Sequence, residues 1–349
     1  MYTVRMNIVE NVSLSIYSTM RLGGVARFVT EVTSRAEIEE AVEWAVSRQL
    51  PPLMIGSGSN IVWRDEGFGG LLIVNKVMAY EDFAEDDVNH YLTIGAGENW
   101  DSVVKRSVIS NLSGIEALSF IPGTSGATPI QNVGAYGQEI ADVLVSVEAY
   151  DLHTRAFVTL PASDCEFGYR TSRFKTTSRD RFLINAITLH LLRQNAAPPF
   201  YRTLAEYFKI HGITEYTPQV VRDAVIAIRS GKLPDPALIA NNGSFFANPV
   251  IDFGQLAQLQ ADYPSMPYWP ADDTNTTVKI PAAWLIEQAG FKDYHDSETG
   301  MATWPTQPLV LVNEHAKSLA DLYTFKAKIV DAVQDKFQIT LTQEPELLP

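Results

Sequence analysis

Between Pro122 and Gly137 the chain places four glycines and two prolines in sixteen residues. A helix cannot hold such a stretch, because glycine is entropically costly there and proline lacks the N–H a helix needs. Nor can a central strand, since proline cannot donate to a ladder. A loop this long is uncommon inside a compact domain unless it has a task. Its composition suits backbone that approaches a flat ligand and its diphosphate closely. A second glycine run, Gly56-Ser57-Gly58-Ser59-Asn60, directly follows the apolar segment Pro52 to Ile55. Taken alone it reads as a turn or as a nest of N–H groups for a phosphate. The spacing of a Rossmann fingerprint is missing, as is the Gly-Lys-Ser/Thr of a Walker loop. The two loops together favour an anionic, flat ligand.

Around these loops the periodicity predicts mixed elements. Ser34 and Glu37 form a capping-box pattern ahead of Ile38, Ala41, Val42 and Ala45 at helical spacing. Asn99 is expected to cap a helix running through Val108. Strands are expected at Pro52–Ile55, 61–63, 71–74, 91–96, 143–150, 157–160 and 181–191. Several of these are too long and too regularly alternating for an all-parallel sheet. A linker is expected at Arg193 to Pro199. Beyond it Thr217-Pro218 should open a helix that ends at Gly231. Further helices are expected at 253–263, 281–289 and 318–335, with strands at 309–313 and Phe337 to Thr342. The fold class is therefore α+β, with domains at 1–195 and 200–349.

Composition narrows the partners. The 349 residues carry 27 lysines and arginines against 41 aspartates and glutamates, a net charge of −14. That balance argues against nucleic acid and anionic membranes. An anionic ligand must then be met by local arginines or lysines. A single cysteine, Cys165, excludes an internal disulfide and a cysteine-based zinc site, and reads as a buried hydrophobe. No metal is expected. The start, Met1 to Ser15, lacks the apolar stretch of a signal peptide, and no run approaches the roughly 18 apolar residues of a membrane span. The expected location is the cytoplasm.

Individual side chains leave alternatives open. Arg170, in Cys165-Glu166-Phe167-Gly168-Tyr169-Arg170, is either a bidentate clamp for a carboxylate or a surface arginine. Ser244, in Gly243-Ser244-Phe245-Phe246, is either a turn serine or a neutral proton donor. No G-x-S-x-G elbow surrounds it. Glu344 and Glu346 close the chain, as functional carboxylates or as a solvated tail.

Seven motifs in order carry a resemblance over about Ser18 to Glu346. They are G-S-G-S-N, G-A-G-E-N-W (Gly95 to Trp100), P-G-x-x-G-x-x-P-I-Q-N-x-G-A-Y-G, C-x-F-G-Y-R, K-L-P-D-P (Lys232 to Pro236), G-S-F-F-x-N-P and E-P-E. Together they resemble the UDP-N-acetylenolpyruvoylglucosamine reductases of peptidoglycan precursor synthesis. The resemblance implies an FAD-binding domain of the vanillyl-alcohol-oxidase (PCMH) type, followed by a smaller α+β substrate-binding domain. It implies that FAD is held non-covalently by Gly56, Ser57, Gly58, Ser59, Asn60, Pro122, Gly123, Ser125, Gly126, Ala127, Gly134, Gly137 and Arg229. Arg170, Ser244 and Glu346 correspond to the catalytic set, Ser244 as proton donor and the other two at the substrate's carboxylate and enolate. Tyr201, Lys232, Asn248 and Gln288 correspond to substrate contacts, with Tyr201 on the capping loop of the longer family type. NADPH as hydride donor, UDP-N-acetylglucosamine enolpyruvate as substrate and a monomeric state complete what it implies. Ser18-Thr19-Met20 departs from the usual Asn-Thr-Phe, and a short tail after Glu346 is expected to loosen that residue. The rivals are an oxygen-using FAD oxidase and a catalytically silent flavin- or nucleotide-sugar-binding protein.

Overall fold

The computed structural model describes residues 6–271 and 276–349. Arg5, in the segment expected to lack a signal, lies outside the described residues. The chain forms two compact units. The first comprises the residues up to Val12, Ala26–Gly58 and Phe68–Gly231; the second comprises Ser13–Val25, Ser59–Gly67 and Lys232–Pro349.

In the first unit, one sheet has the strand order Val9–Ser13, Val25–Val32, Phe68–Asn75, Pro52–Ile55. The last three strands run parallel, which requires a crossover, and helix α1 (Arg35–Val46) supplies it. Ile38, Ala41, Val42 and Ala45 are its buried stripe. Ser34 accepts the Glu37 N–H, but the Glu37 carboxylate takes the N–H of Thr33, so the expected capping box is displaced by one residue. A second sheet is antiparallel throughout, in the order Ala156–Pro161, Leu144–Asp151, Phe182–Leu192, Asn89–Gly95, Tyr80–Ala84. Helix α2 (Trp100–Ile109), capped by Asn99, buries Trp100, Val103, Val104 and Val108. The thiol of Cys165 is buried, which pushes its pKa up to about 11.

The unit boundary differs from the expected break near residue 195. Helices α3 (Arg202–Ile210) and α4 (Pro218–Lys232) pack Leu204, Phe208, Val221, Ala224 and Val225 around Ala117, in the first unit. Ala196 of the expected linker, and Phe200 just after it, join that small core. Compositional breaks mark the ends of periodic segments, whereas long-range apolar contacts decide which unit a helix joins.

The second unit holds an antiparallel sheet in the order Ala240–Ser244, Gln307–Asn313, Met301–Trp304, His295–Asp296, and a smaller three-stranded one. Helices α5 (Phe253–Asp262), α6 (Ala282–Gln288) and α7 (Leu319–Phe337) complete it. Helix α7 buries Leu322, Phe325, Ile329, Val333 and Phe337 at spacings of three and four. No strand occupies Phe337 to Thr342. Helix α7 runs to Phe337 and ends at Gln338, whose φ of 56° is left-handed. Ile339 and Leu341 alternate because both are buried, but single backbone bonds, not a ladder, tie the segment down. The terminal strand is Glu346–Leu348, parallel to Ile61–Trp63.

Asp151 of the antiparallel sheet is almost fully buried and paired bidentately with Arg181, at 2.9 and 2.7 Å. The Arg181 bonds hold its carboxyl well below the usual carboxylate range, against burial, with the His153 N–H adding to them. Below about pH 4 the unfolded chain takes up a proton that the folded chain refuses. The pair's stabilisation is thus present above that pH and fades as pH falls towards the depressed pKa. Asp151→Asn should therefore flatten the loss of urea midpoint between about pH 6 and about pH 3. An unchanged acid slope would count against the pair.

Candidate active site

Within the first unit the two glycine loops close on one another and on the Gly95–Trp100 motif. A methyl at Gly56 would overlap Thr124 Oγ1, so only glycine lets the first loop lie against the second. A methyl at Gly126 would overlap Ala96 Cβ. The same close approach lets Gly126 N–H donate to the Ala96 carbonyl at 3.0 Å and Ser125 N–H to that of Glu98 at 2.9 Å. Ser125 Oγ donates to the Gly95 carbonyl at 2.5 Å, and Trp100 N–H to that of Gly123 at 3.1 Å. Ser125 to Ala127 form one short 3-10 turn.

Farther along, Gly134-Ala135 pairs with Gln138-Glu139 in a tight ribbon. Tyr136 and Gly137, with φ of 49° and 87°, form its two-residue turn, both positive as a type I′ hairpin demands. Arg170 lies against this ribbon. Its guanidinium donates to the Gly134 carbonyl at 2.6 Å and the Asn132 carbonyl at 3.5 Å. These two carbonyls fix the direction in which the guanidinium points. Asn132 is itself fixed, donating to Glu139 and to the Gly168 carbonyl while accepting the Ala141 N–H.

Arg229 of α4 reaches both ends of the same loop. Its Nε donates to the Phe120 carbonyl at 3.1 Å, and the guanidinium also bonds the Tyr136 hydroxyl. Burial lowers the Arg229 pKa from its ordinary value, opposed by Tyr136 and Asp101. Burial raises the Tyr136 pKa, opposed by Arg229. Tyr201, half exposed just ahead of α3, meets the Tyr136 ring edge-on at 6.0 Å between centroids. The first unit therefore brings together Gly56, the second loop, Arg170, Tyr201 and Arg229.

The remaining residues lie in the second unit. Ser59 and Asn60 belong to it, so the chain passes from one unit to the other inside the first glycine loop. Ser244 ends the strand Ala240–Ser244, after a bulge around Gly243. The next residues clamp the chain end: Glu344 N–H donates to the Phe245 carbonyl and Ala247 N–H to that of Thr342. Glu346 begins the terminal strand and donates its N–H to the Asn60 carbonyl at 2.9 Å. Asn242 ties this group to the loop, its amide nitrogen facing Thr19 Oγ1 and the carbonyls of Ser59 and Ile61. Asn248 has a structural task, its Oδ1 accepting the Ala282 N–H at the start of α6. Lys232 is exposed at the end of α4, and Gln288 closes α6. Thr124, Ala96, Asn132, Asp101 and Asn242 escaped sequence reasoning. Their only local signal was their position inside or beside glycine motifs.

The donor set suits an anionic dinucleotide. The glycines give a close-packed backbone surface, and Arg170 and Arg229 bring positive charge to a chain that is otherwise acidic. Among the described residues, no group of three or more His, Cys, Asp or Glu could hold a metal ion, and no helix is long and apolar enough to cross a membrane.

These features define a flavoprotein oxidoreductase of two-domain α+β type, and an FAD binding domain family matches residues 26–154. Residues 235–348 match the C-terminal domain of UDP-N-acetylenolpyruvoylglucosamine reductase. The reductase of that name from Ralstonia nicotianae is 38% identical over 338 residues, covering 96% of this chain and 97% of that protein. The one from Amoebophilus asiaticus is 36% identical over 342 residues, covering 98% and 99%. The crystal structure of the Thermus caldophilus UDP-N-acetylenolpyruvylglucosamine reductase shares the fold, with a TM-score of 0.68, 22% identity and coverage of 99% and 100%. The chain belongs to the UDP-N-acetylenolpyruvoylglucosamine reductase family.

Gly126→Ala tests the packing of the second loop. Gly69, with open space around it, gives a matched control. Overpacking of about 1–3 kcal/mol should lower the flavin-to-protein absorbance ratio of Gly126→Ala severalfold or more, with Gly69→Ala near wild type. Equal flavin content in the two variants would refute the close-approach argument.

Proposed function

We propose that this chain reduces the enolpyruvyl ether of UDP-N-acetylglucosamine to UDP-N-acetylmuramate, a step of peptidoglycan precursor synthesis, with NADPH as hydride donor. FAD binds non-covalently on the two glycine loops, which lack the histidine or cysteine that tethers flavin in many oxidases. FAD, when bound there, would supply the hydride-transfer chemistry between the nicotinamide and the substrate's vinyl carbon remote from the carboxylate. We place the enzyme in the cytoplasm as a monomer.

The observation that carries the reading is Arg170, a charged guanidinium oriented by the second loop's own carbonyls. As hydride arrives, negative charge develops on the adjacent carbon and spreads into the substrate carboxylate. Arg170 neutralises it from a position fixed beforehand, so little reorganisation accompanies the charge. Ser244 then donates its hydroxyl proton to the carbon and regains one from solvent. A positioned acid of this kind contributes roughly 10²–10⁴ in rate. Glu346 acts at the enolate in its protonated form or by orienting a neighbouring donor, with its backbone anchored through the N–H bond to the Asn60 carbonyl. Tyr201 closes over the substrate, Lys232 meets its diphosphate, and Asn248 and Gln288 make further contacts.

Ser244→Ala should leave flavin reduction by NADPH close to wild type and slow reoxidation by the enolpyruvyl substrate by at least about a hundredfold in stopped flow. Near-normal reoxidation would remove Ser244 from its role. Glu346→Gln should lower turnover far more than Glu344→Gln, and the reverse ranking would shift the assignment by two residues. Spectra taken before NADPH, after it, and after substrate separate the rivals. A silent binder would not bleach, and an oxidase would be reoxidised by oxygen but not by the enolpyruvyl ether.

A further inference from the structure

An ion pair outside the proposed catalytic set sits directly behind the second glycine loop. Arg222 of α4 is 6% exposed and grips Asp101 of α2 with both ends of its fork, at 2.7 and 2.8 Å. The same Nη1 donates to Ser119 Oγ at 2.9 Å, while Ser119 donates to the Glu116 carbonyl. Asp101 Oδ1 also accepts the N–H of Phe120 at 2.5 Å. Asp101 therefore touches the chain two residues before Pro122.

Phe120 is unusual on two counts. Its φ is 60°, a left-handed backbone that a large non-glycine residue adopts only under constraint, and the residue is 41% exposed. Both its backbone groups are held by charged side chains: the N–H by Asp101 and the carbonyl by Arg229. Arg222 and Arg229 lie seven residues apart, two turns along one face of α4. Just beyond, α2 holds the loop again, through Trp100 Nε1 on the Leu118 carbonyl and Trp100 N–H on that of Gly123.

We propose that Arg222 and Asp101 are positioning residues for FAD, fixing the left-handed bend at Phe120 and thereby the stance of the Gly123–Gly126 backbone toward the cofactor. The inference rests on the reading that the second loop binds FAD. Arg suits the task because its planar fork fixes both distance and orientation, where lysine would supply a point charge alone. Asp101 remains ionised for it. Burial raises its pKa, but the Arg222 bonds, the Phe120 N–H and the charges of Arg222 and Arg229 outweigh burial and leave it lowered.

The test uses holoenzyme variants Arg222→Met, Arg222→Lys, Asp101→Asn and the Arg222→Met/Asp101→Asn double. FAD release is followed by flavin fluorescence on serial dilution, alongside the visible flavin spectrum and the urea midpoint. The proposal expects each single methionine or asparagine variant to weaken FAD binding about tenfold or more with an altered flavin band shape, the double to lose no more than the worse single, and lysine to rescue only in part. Falling urea midpoints with FAD affinity within about twofold of wild type and an unchanged band shape would overturn it, leaving a purely structural pair. Should those variants fail to fold, Ser119→Ala removes one hydroxyl from the network, and unaltered affinity and spectrum there would also overturn it. A wild-type chain with no flavin spectrum would instead defeat the underlying FAD reading.

Discussion

Two backbone hydrogen bonds, from Ser125 to Glu98 and from Gly126 to Ala96, hold a sixteen-residue segment that has almost no ladder of its own. They form only because Gly126 has no side chain to collide with Ala96. With that contact in place, Thr124 can meet Gly56, the ribbon at Gly134 can present carbonyls to Arg170, and Phe120 can face both Asp101 and Arg229. A loop without regular structure is thus held rigidly by partners drawn from α2, α4 and the segment around Arg170. Packing of backbone on backbone substitutes here for the side-chain burial that fixes ordinary elements.

What could be read in the sequence was mostly what neighbours along the chain decide. The strands at Pro52–Ile55 and Ile61–Trp63 were legible residue for residue, and Ser34, Asn99 and Thr217 behave as caps because capping is a contact over three residues. The alternation at Ile339 and Leu341 was legible as burial but misleading as a strand, since periodicity reports which side is dry and not whether a ladder exists. The unit to which α3 and α4 belong depended on Ala117, far away in sequence. Within the site, the glycine loops and Arg170 stood out from composition and motif. The partners that give them geometry did not: Asp101 lies 121 residues from Arg222, and Asn132 lies 38 from Arg170.

The electrostatics follow the same division between the global and the local. A chain of net charge −14 repels anions at long range, so any anionic ligand depends on a few cations fixed at short range. The arginines differ in what faces them. Arg222 and Arg181 are each met by an aspartate in a bidentate pair. Arg170 donates to two carbonyls and Arg229 to one, bonds that fix the direction in which each guanidinium points.

The strand Glu346–Leu348 pairs with Ile61–Trp63 across nearly the whole length of the chain, and the chain switches between its two units five times. A polypeptide emerging from the ribosome therefore carries Asn60 long before the carboxyl-terminal residues that dock beside it exist. Contacts of such sequence separation pay a large loop-closure entropy and form slowly. The second unit cannot be completed until synthesis has passed Leu348. The strand Glu346–Leu348 must thread back to one made far earlier, so loss of its pairing would be felt at Ile61–Trp63 and at Asn60 beside them.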